Sequence, residues 1–364
     1  MINITNIIKE FRAVDLQAFI NDYELADLYF PTYFPSFYTP KLTFEALEAT
    51  MGAKVAADVV AFDSRAPRKG RYKPGKITGD IPKVEVARAK NETELNTYRQ
   101  LLAVVNANPT NQQAKNRLID WIYEDTQFAL DGVNARQEWL AKQAVSNGKY
   151  SLTVDNNEAG VQTKVDIDFG IPAVNRKNAV ADWSDAGNAK PITDIRAIDE
   201  AARKKGYRIR FATTDHATML NMLATAEVRN FCASFVQVAL DIQFIPNLEQ
   251  LNAALARENL PTFRVWDSYV AIEGKKGAEP KAETGWIEGN VCFSVAPQLG
   301  QVQWTDTADA FVTIDDSVKA QNDFTLVKVF ALQDPISVIT KGVAYATPVL
   351  DGALRMFILK TKLS

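Results

Sequence analysis

The longest uninterrupted pattern in this chain runs over residues 109–146. Apolar side chains recur there at Leu118, Ile122, Ala129, Val133, Leu140 and Ala144, with no internal proline and one internal glycine, Gly132. That spacing predicts an amphipathic helix, with Asn108 as its cap, Pro109 in its first turn and Gly148 as its stop. At about 1.5 Å per residue such a helix is on the order of 55 Å long, far above the usual length in a globular domain, and it reads as a spine. A shorter helix is predicted over 92–106.

Ahead of these helices the pattern is irregular. An amphipathic helix is expected from Ile7 to Phe19. It is followed by DLYFPTYFPSFYTP, in which Phe30, Tyr33, Phe34, Phe37 and Tyr38 stand among Pro31, Pro35 and Pro40. Prolines at that spacing oppose a helix or a central strand, so an extended arm rich in rings is expected. It either wraps over its own domain or docks on a neighbouring subunit. Thr43 is read as the cap of a short helix through Met51. Then comes an apolar run, 54–63, and RAPRKGRYKPGK at 65–76. That stretch carries Arg65, Arg68, Lys69, Arg71, Lys73 and Lys76 with two prolines, two glycines and no acid. Six like charges cannot pack inward, so the stretch is expected at the tip of a projecting hairpin whose base strands are 54–63 and 81–88.

Beyond the spine, KYSLTV and TKVDIDF alternate as a strand pair, with Val165, Ile167 and Phe169 on one face and Asp166 and Asp168 on the other. A polar connection, 171–193, holds Trp183, read as a plug between two domains or a ring that stacks on a ligand. From Thr193 helices and strands alternate: helix IRAIDEAARKK stopped by Gly206, strand YRIRFATT, Asp215 capping a helix through Phe231, strand VQVALDIQFI, a helix over 247–258, and strands FRVWDSYVAI, GNVCFSV and AFVTI. Two closing strands follow in GVAYATPVLDGALRMFILKTKLS, tying the end of the chain into a sheet.

Composition narrows the chemistry. The 364 residues are 47% hydrophobic and 23% charged, which excludes wholesale disorder and leaves room for two domains. Net charge is −3, so no global field holds a polyanion, and nucleic acid is expected to be contacted only weakly. With one histidine, His216, and two cysteines, Cys232 and Cys292, a zinc site built from these residues falls short of ligands; neither metal nor cofactor is expected. Both cysteines sit in apolar runs and read as buried thiols. The charged N-terminus does not resemble a secretory signal, and no stretch of about 18 apolar residues suggests a membrane span.

Three motifs compete for function. GRYKPGK, 70–76, places Gly70, Gly75 and Lys76 as in a phosphate-binding loop, but Ile77 stands where a magnesium-ligating hydroxyl is required. Asp215–His216 resembles a catalytic pair, yet helix capping accounts for Asp215 and no nucleophile accompanies it. Asp166 and Asp168 could chelate a hard cation, though strand alternation places both on a wet face. The basic stretch is left as a solvated loop, a nucleic-acid contact or, preferably, a patch that seats on an acidic surface of another subunit.

The order of parts is that of a known fold. GKYSLT at 148–153 directly after the spine, VDIDFG at 165–170, DWSD and PITDI within 182–195, and ATPVLDG at 346–352 together resemble the phage major capsid protein E family, the head proteins of lambda-like phages. The resemblance implies an α+β chain of the Hong Kong 97-type phage major capsid fold. It would comprise an N-terminal arm (1–41), an extended loop (42–90), a spine-helix peripheral domain (91–192 plus 341–364, helix 109–146) and an axial domain (193–340). It further implies a non-enzymatic virion protein that assembles with itself as hexamers and pentamers in the host cytoplasm. A portal, a separate scaffolding protein and, in some relatives, a decoration protein would accompany it. Subunit contacts are then expected at Phe30, Tyr33, Phe34 and Phe37 on the arm, and at Arg65, Arg68, Lys69, Arg71, Lys73 and Lys76 on the loop. The rival readings are an α/β enzyme using His216, Asp215 and the basic loop on an anionic substrate, and a tail-tube subunit. Exchanging Arg68→Glu together with Arg71→Glu is expected to leave the subunit folded, by circular dichroism, and to abolish closed shells in the electron microscope; a normal shell yield would refute the role given to the basic stretch.

Overall fold

The computed structural model describes residues 13–24, 27–47, 76–153, 156–157, 165–236, 245–272, 279–312 and 317–363. The expected strand 54–63, nearly all of strand 236–245, and Arg65, Arg68, Lys69, Arg71 and Lys73 lie outside them.

The spine is a 36-residue helix, Gln112–Asn147. It starts three residues later than the sequence suggests because Asn108 closes the preceding helix, Glu92–Ala107, through its own N–H, while Asn111 accepts from the Ala114 N–H at 3.1 Å. That preceding helix opens with a reciprocal capping box between Asn91 and Glu94. Gly148, at φ 70°, ends the spine in the left-handed conformation, as expected.

A six-stranded sheet packs against the spine. Its order is Ser36–Tyr38, Gly300–Thr305, Ile336–Leu350, Thr325–Gln333, Ser317–Asn322, with Lys83–Lys90 also paired to Ile336–Leu350. The helix and the long strand approach so closely that a Cβ on Gly342 would stand 2.5 Å from the Ala129 carbonyl oxygen, so glycine is required there. A second sheet, five-stranded and mixed, orders Arg176–Asn178, Phe357–Lys360, Asn290–Ser294, Phe211–Thr214 and Thr262–Val265. With helices Pro191–Lys204, His216–Ala224, Ala226–Val236 and Leu248–Arg257 it forms a separate core around Trp183, Ile195, Met222 and Leu255. The division drawn from the sequence cuts across both sheets: strands within 300–340 pair in the first, and Phe357–Lys360 pairs in the second.

Several local expectations are corrected. Thr43–Leu47 is a strand, not a helix; it pairs with Lys76–Asp80, and its alternation buries Phe44 and Ala46. The observed base of the extended loop is therefore 43–47 with 76–80, while Lys83–Lys90 belongs to the main sheet. The arm is not wholly extended: Phe30–Tyr33 forms one helical turn, with Pro31 in the first turn where its missing N–H costs nothing, and Ser36–Tyr38 is a short parallel edge strand. The helix after Asp215 breaks at Thr225, whose hydroxyl accepts from the Val228 N–H and caps a second helix. AFVTI begins as the end of a one-turn helix, Ala308–Phe311, not as a strand.

That turn has a place in the sheet. Lys319, Lys328 and Lys341 lie in register across three strands, and all three converge on it. Lys328 and Lys341 reach the Asp309 carboxylate at 2.9 and 3.1 Å, and Lys319 donates to the Asp309 and Ala310 carbonyl oxygens. The hydrogen-bonded Lys328 ammonium, aided by Lys341, holds the Asp309 carboxyl below the usual carboxylate range. A carboxyl depressed in the folded state contributes stability above its unfolded pKa, which is lost as pH falls. Thermal stability is expected to decline between about pH 5 and pH 3, and Asp309→Asn to flatten that decline; equal slopes for the two proteins would contradict this role.

Candidate assembly surface

The arm is locked to the spine by a single buried carboxylate. Glu138, fully buried, accepts hydrogen bonds from the Tyr29 and Phe30 N–H groups at 3.2 and 2.8 Å. Its other oxygen accepts from the Trp266 indole and the Ser268 hydroxyl. Lys142, one turn on and equally buried, lies 3.8 Å away and donates to the Ser268 carbonyl oxygen. Burial lowers the Lys142 ammonium to about 8, against the pull of Glu138. Sequence reading missed both residues, since polar side chains on a helix are normally its wet face. The signal available was the i, i+4 acid–base pair inside a helix whose apolar stripe widens toward its end.

The lock decides what the arm can offer. Phe30, Tyr33 and Phe34 are buried in the subunit's own core, and Tyr33 packs on Trp266 at 4.9 Å between ring centres. Phe37, 49% exposed, and Tyr38, 48% exposed, are the arm rings that reach solvent. They lie on the edge strand Ser36–Tyr38, all of whose residues are exposed.

The root of the extended loop is fixed in a similar way. The Gln303 side chain accepts from the Glu45 N–H at 3.1 Å and donates to the Glu45 carbonyl at 2.9 Å, holding the ribbon to the main sheet. Phe44 packs near Phe169. Lys76, the one basic-stretch residue among those described, pairs with Glu45 at 2.7 Å.

The remaining candidates take structural positions. Asp215 caps its helix by accepting from the Thr218 N–H at 3.2 Å, and His216 is exposed beside it. Asp166 and Asp168 are exposed on their strand, as the alternation predicts, and Asp168 accepts from the Gly170 N–H. Trp183 does not plug a junction: it sits within the second core and donates to the Asp194 carboxylate at 3.0 Å. Cys232 and Cys292 are free and buried, and burial pushes their thiols up to about 11 and about 12, which makes both poor nucleophiles. Among the described residues no cluster of three potential ligands could hold a metal, and no helix is long and apolar enough to cross a membrane.

These features were compared with known proteins. The family model described as phage major capsid protein E matches residues 13–255, well over half of the sequence. The chain belongs to that family. No curated relative matches it in sequence. A crystal structure of a candidate capsid protein from a prophage of Escherichia coli CFT073 superposes with a TM-score of 0.56 at 14% identity, covering 96% of this chain and 98% of that one. A phage-related protein from Bordetella bronchiseptica RB50 gives 0.51 at 12% identity, covering 96% of each. The fold is the Hong Kong 97-type capsid fold, and the chain is a major capsid protein of a tailed phage or prophage. Self-association is thus part of its function. In this capsid protein Glu138→Ala would leave Lys142 buried beside four unmatched donors. It is expected to cost about 3–5 kcal/mol in denaturant unfolding of the unassembled subunit; a loss below about 1 kcal/mol would show that the carboxylate does not hold the arm.

Proposed function

We propose that this capsid protein is the repeating unit of an icosahedral shell around double-stranded DNA, that it acts without catalysis, and that it assembles in the host cytoplasm. The observation that carries the reading is a rigid plate with a projecting ribbon. The spine and six-stranded sheet form the plate, Glu138 ties the arm to it, and the Gln303 clamp anchors a ribbon whose far part carries the basic stretch. A plate with a long fixed-root ribbon can bury area on neighbours that a compact surface cannot offer. The spine with the six-stranded sheet serves as the peripheral part, and the five-stranded sheet with its helices as the axial part. Arg65, Arg68, Lys69, Arg71, Lys73 and Lys76 contact a neighbour, as does Phe37 with its edge strand; Phe30, Tyr33 and Phe34 act by shaping the arm beneath it.

The weakly acidic balance favours a container filled by a motor over a shell condensed on its genome by charge. A portal and a scaffolding protein are the partners this reading requires, and a decoration protein is compatible with it. Purified protein, co-expressed with its scaffolding protein where needed, is expected to form closed shells or hexameric and pentameric rings in the electron microscope. A stable monomer or dimer at high concentration would overturn the proposal.

A further inference from the structure

One cavity remains that neither the core nor the lock uses. About 220 Å³ in volume, it opens where the spine meets the second sheet. Its walls are the rings of Trp266, Tyr269 and Trp286, and its charged groups are Asp215, Asp267 and Glu288. Tyr269 is 66% exposed, although most large rings of this chain are buried. Asp215 is 94% buried yet forms no ion pair among the described residues, and neither does Asp267, which accepts from the Tyr29 hydroxyl at 2.7 Å. Glu288 pairs with the exposed Lys362 at 2.9 Å. A buried carboxylate without a cation is costly, and ring faces beside carboxylates favour a guanidinium or ammonium group. An anion, phosphate included, is disfavoured in the same cavity.

We infer that this cavity is the acceptor for the basic stretch 65–76 of a second copy of the chain, an Arg or Lys side chain entering between the rings and the carboxylates. The inference rests on the shell-subunit reading and names the acidic surface that the stretch requires. Charge complementarity selects the occupant, since 65–76 carries six cations and no acid. Reach permits a neighbour: 28 residues separate Leu47 from Lys76. The midpoint of such a loop can extend up to about 45 Å from its root.

Two variants test this. The first, Asp267→Lys with Glu288→Lys, reverses the cavity and leaves the cap Asp215 in place. The second, Arg68→Glu with Arg71→Glu, reverses the stretch. Each alone is expected to fold, by circular dichroism and melting, and to lose closed shells. Co-expressed, the two are expected to regain mixed particles, because the normal stretch of one copy meets the normal cavity of the other and the reversed pair also matches. Recovery only when all four changes are on one chain would place the contact within a copy and overturn the second-copy assignment. Normal shells from the cavity variant alone, or no recovery in either arrangement from folded proteins, would overturn the cavity itself. Unaltered protein that forms no shell would instead overturn the shell-subunit reading, so the two failures are distinguishable.

Discussion

Everything in this subunit that faces outward is positioned by a charge that faces inward. Glu138 sits at full burial in the spine, where an isolated carboxylate would be prohibitively unfavourable. It is tolerable because four donors and the Lys142 ammonium converge on it, and those donors come from two distant segments. A group that must be satisfied acts as a specification: the Tyr29–Phe30 turn and the 266–268 segment each have one acceptable position on the spine. A hydrophobic contact, being non-directional, would have held the arm without fixing its register.

The sheet edges show the same logic at lower energy. At one end of the six-stranded sheet, Gln17 of helix Ala13–Asp22 donates to the Gln321 carbonyl at 2.8 Å and accepts from its N–H at 3.2 Å, taking the place of a next strand. The Gln303 clamp does the same for the ribbon root. The opposite end, Ser36–Tyr38, has no such cover within the subunit. A protein that must join copies of itself in one arrangement needs closed edges where pairing would be wrong, and open ones only where a neighbour belongs.

The distribution of charge fits a container. Fixed lysines on the main sheet are matched by Asp309 and Glu85, so the plate carries little uncompensated field. The dense positive charge is confined to one stretch, and the cavity bearing Asp215 and Asp267 offers carboxylates without partners. Scarcity of histidine and cysteine belongs with this: the buried thiols of Cys232 and Cys292 fill space, and Asp215 spends its carboxylate on a helix cap.

Periodicity and capping chemistry made the local skeleton legible. The spine, its Gly148 stop, the strand pair after it, Asp215 as a cap and the closing strands all follow from side-chain spacing within a few residues, because such patterns report local backbone geometry. The ordered motifs from GKYSLT to ATPVLDG were enough to point to the capsid family. Local patterns could not decide that Thr43–Leu47 pairs with Lys76–Asp80, that Phe30–Tyr33 turns into a helix, or that Phe357–Lys360 joins a different sheet from Ile336–Leu350. They also could not show that Glu138 and Lys142 face inward, nor which arm rings stay outside. Those outcomes depend on partners more than a hundred residues away. Pairing and burial of polar groups are settled by what the rest of the chain brings alongside, and that is a property of the folded whole.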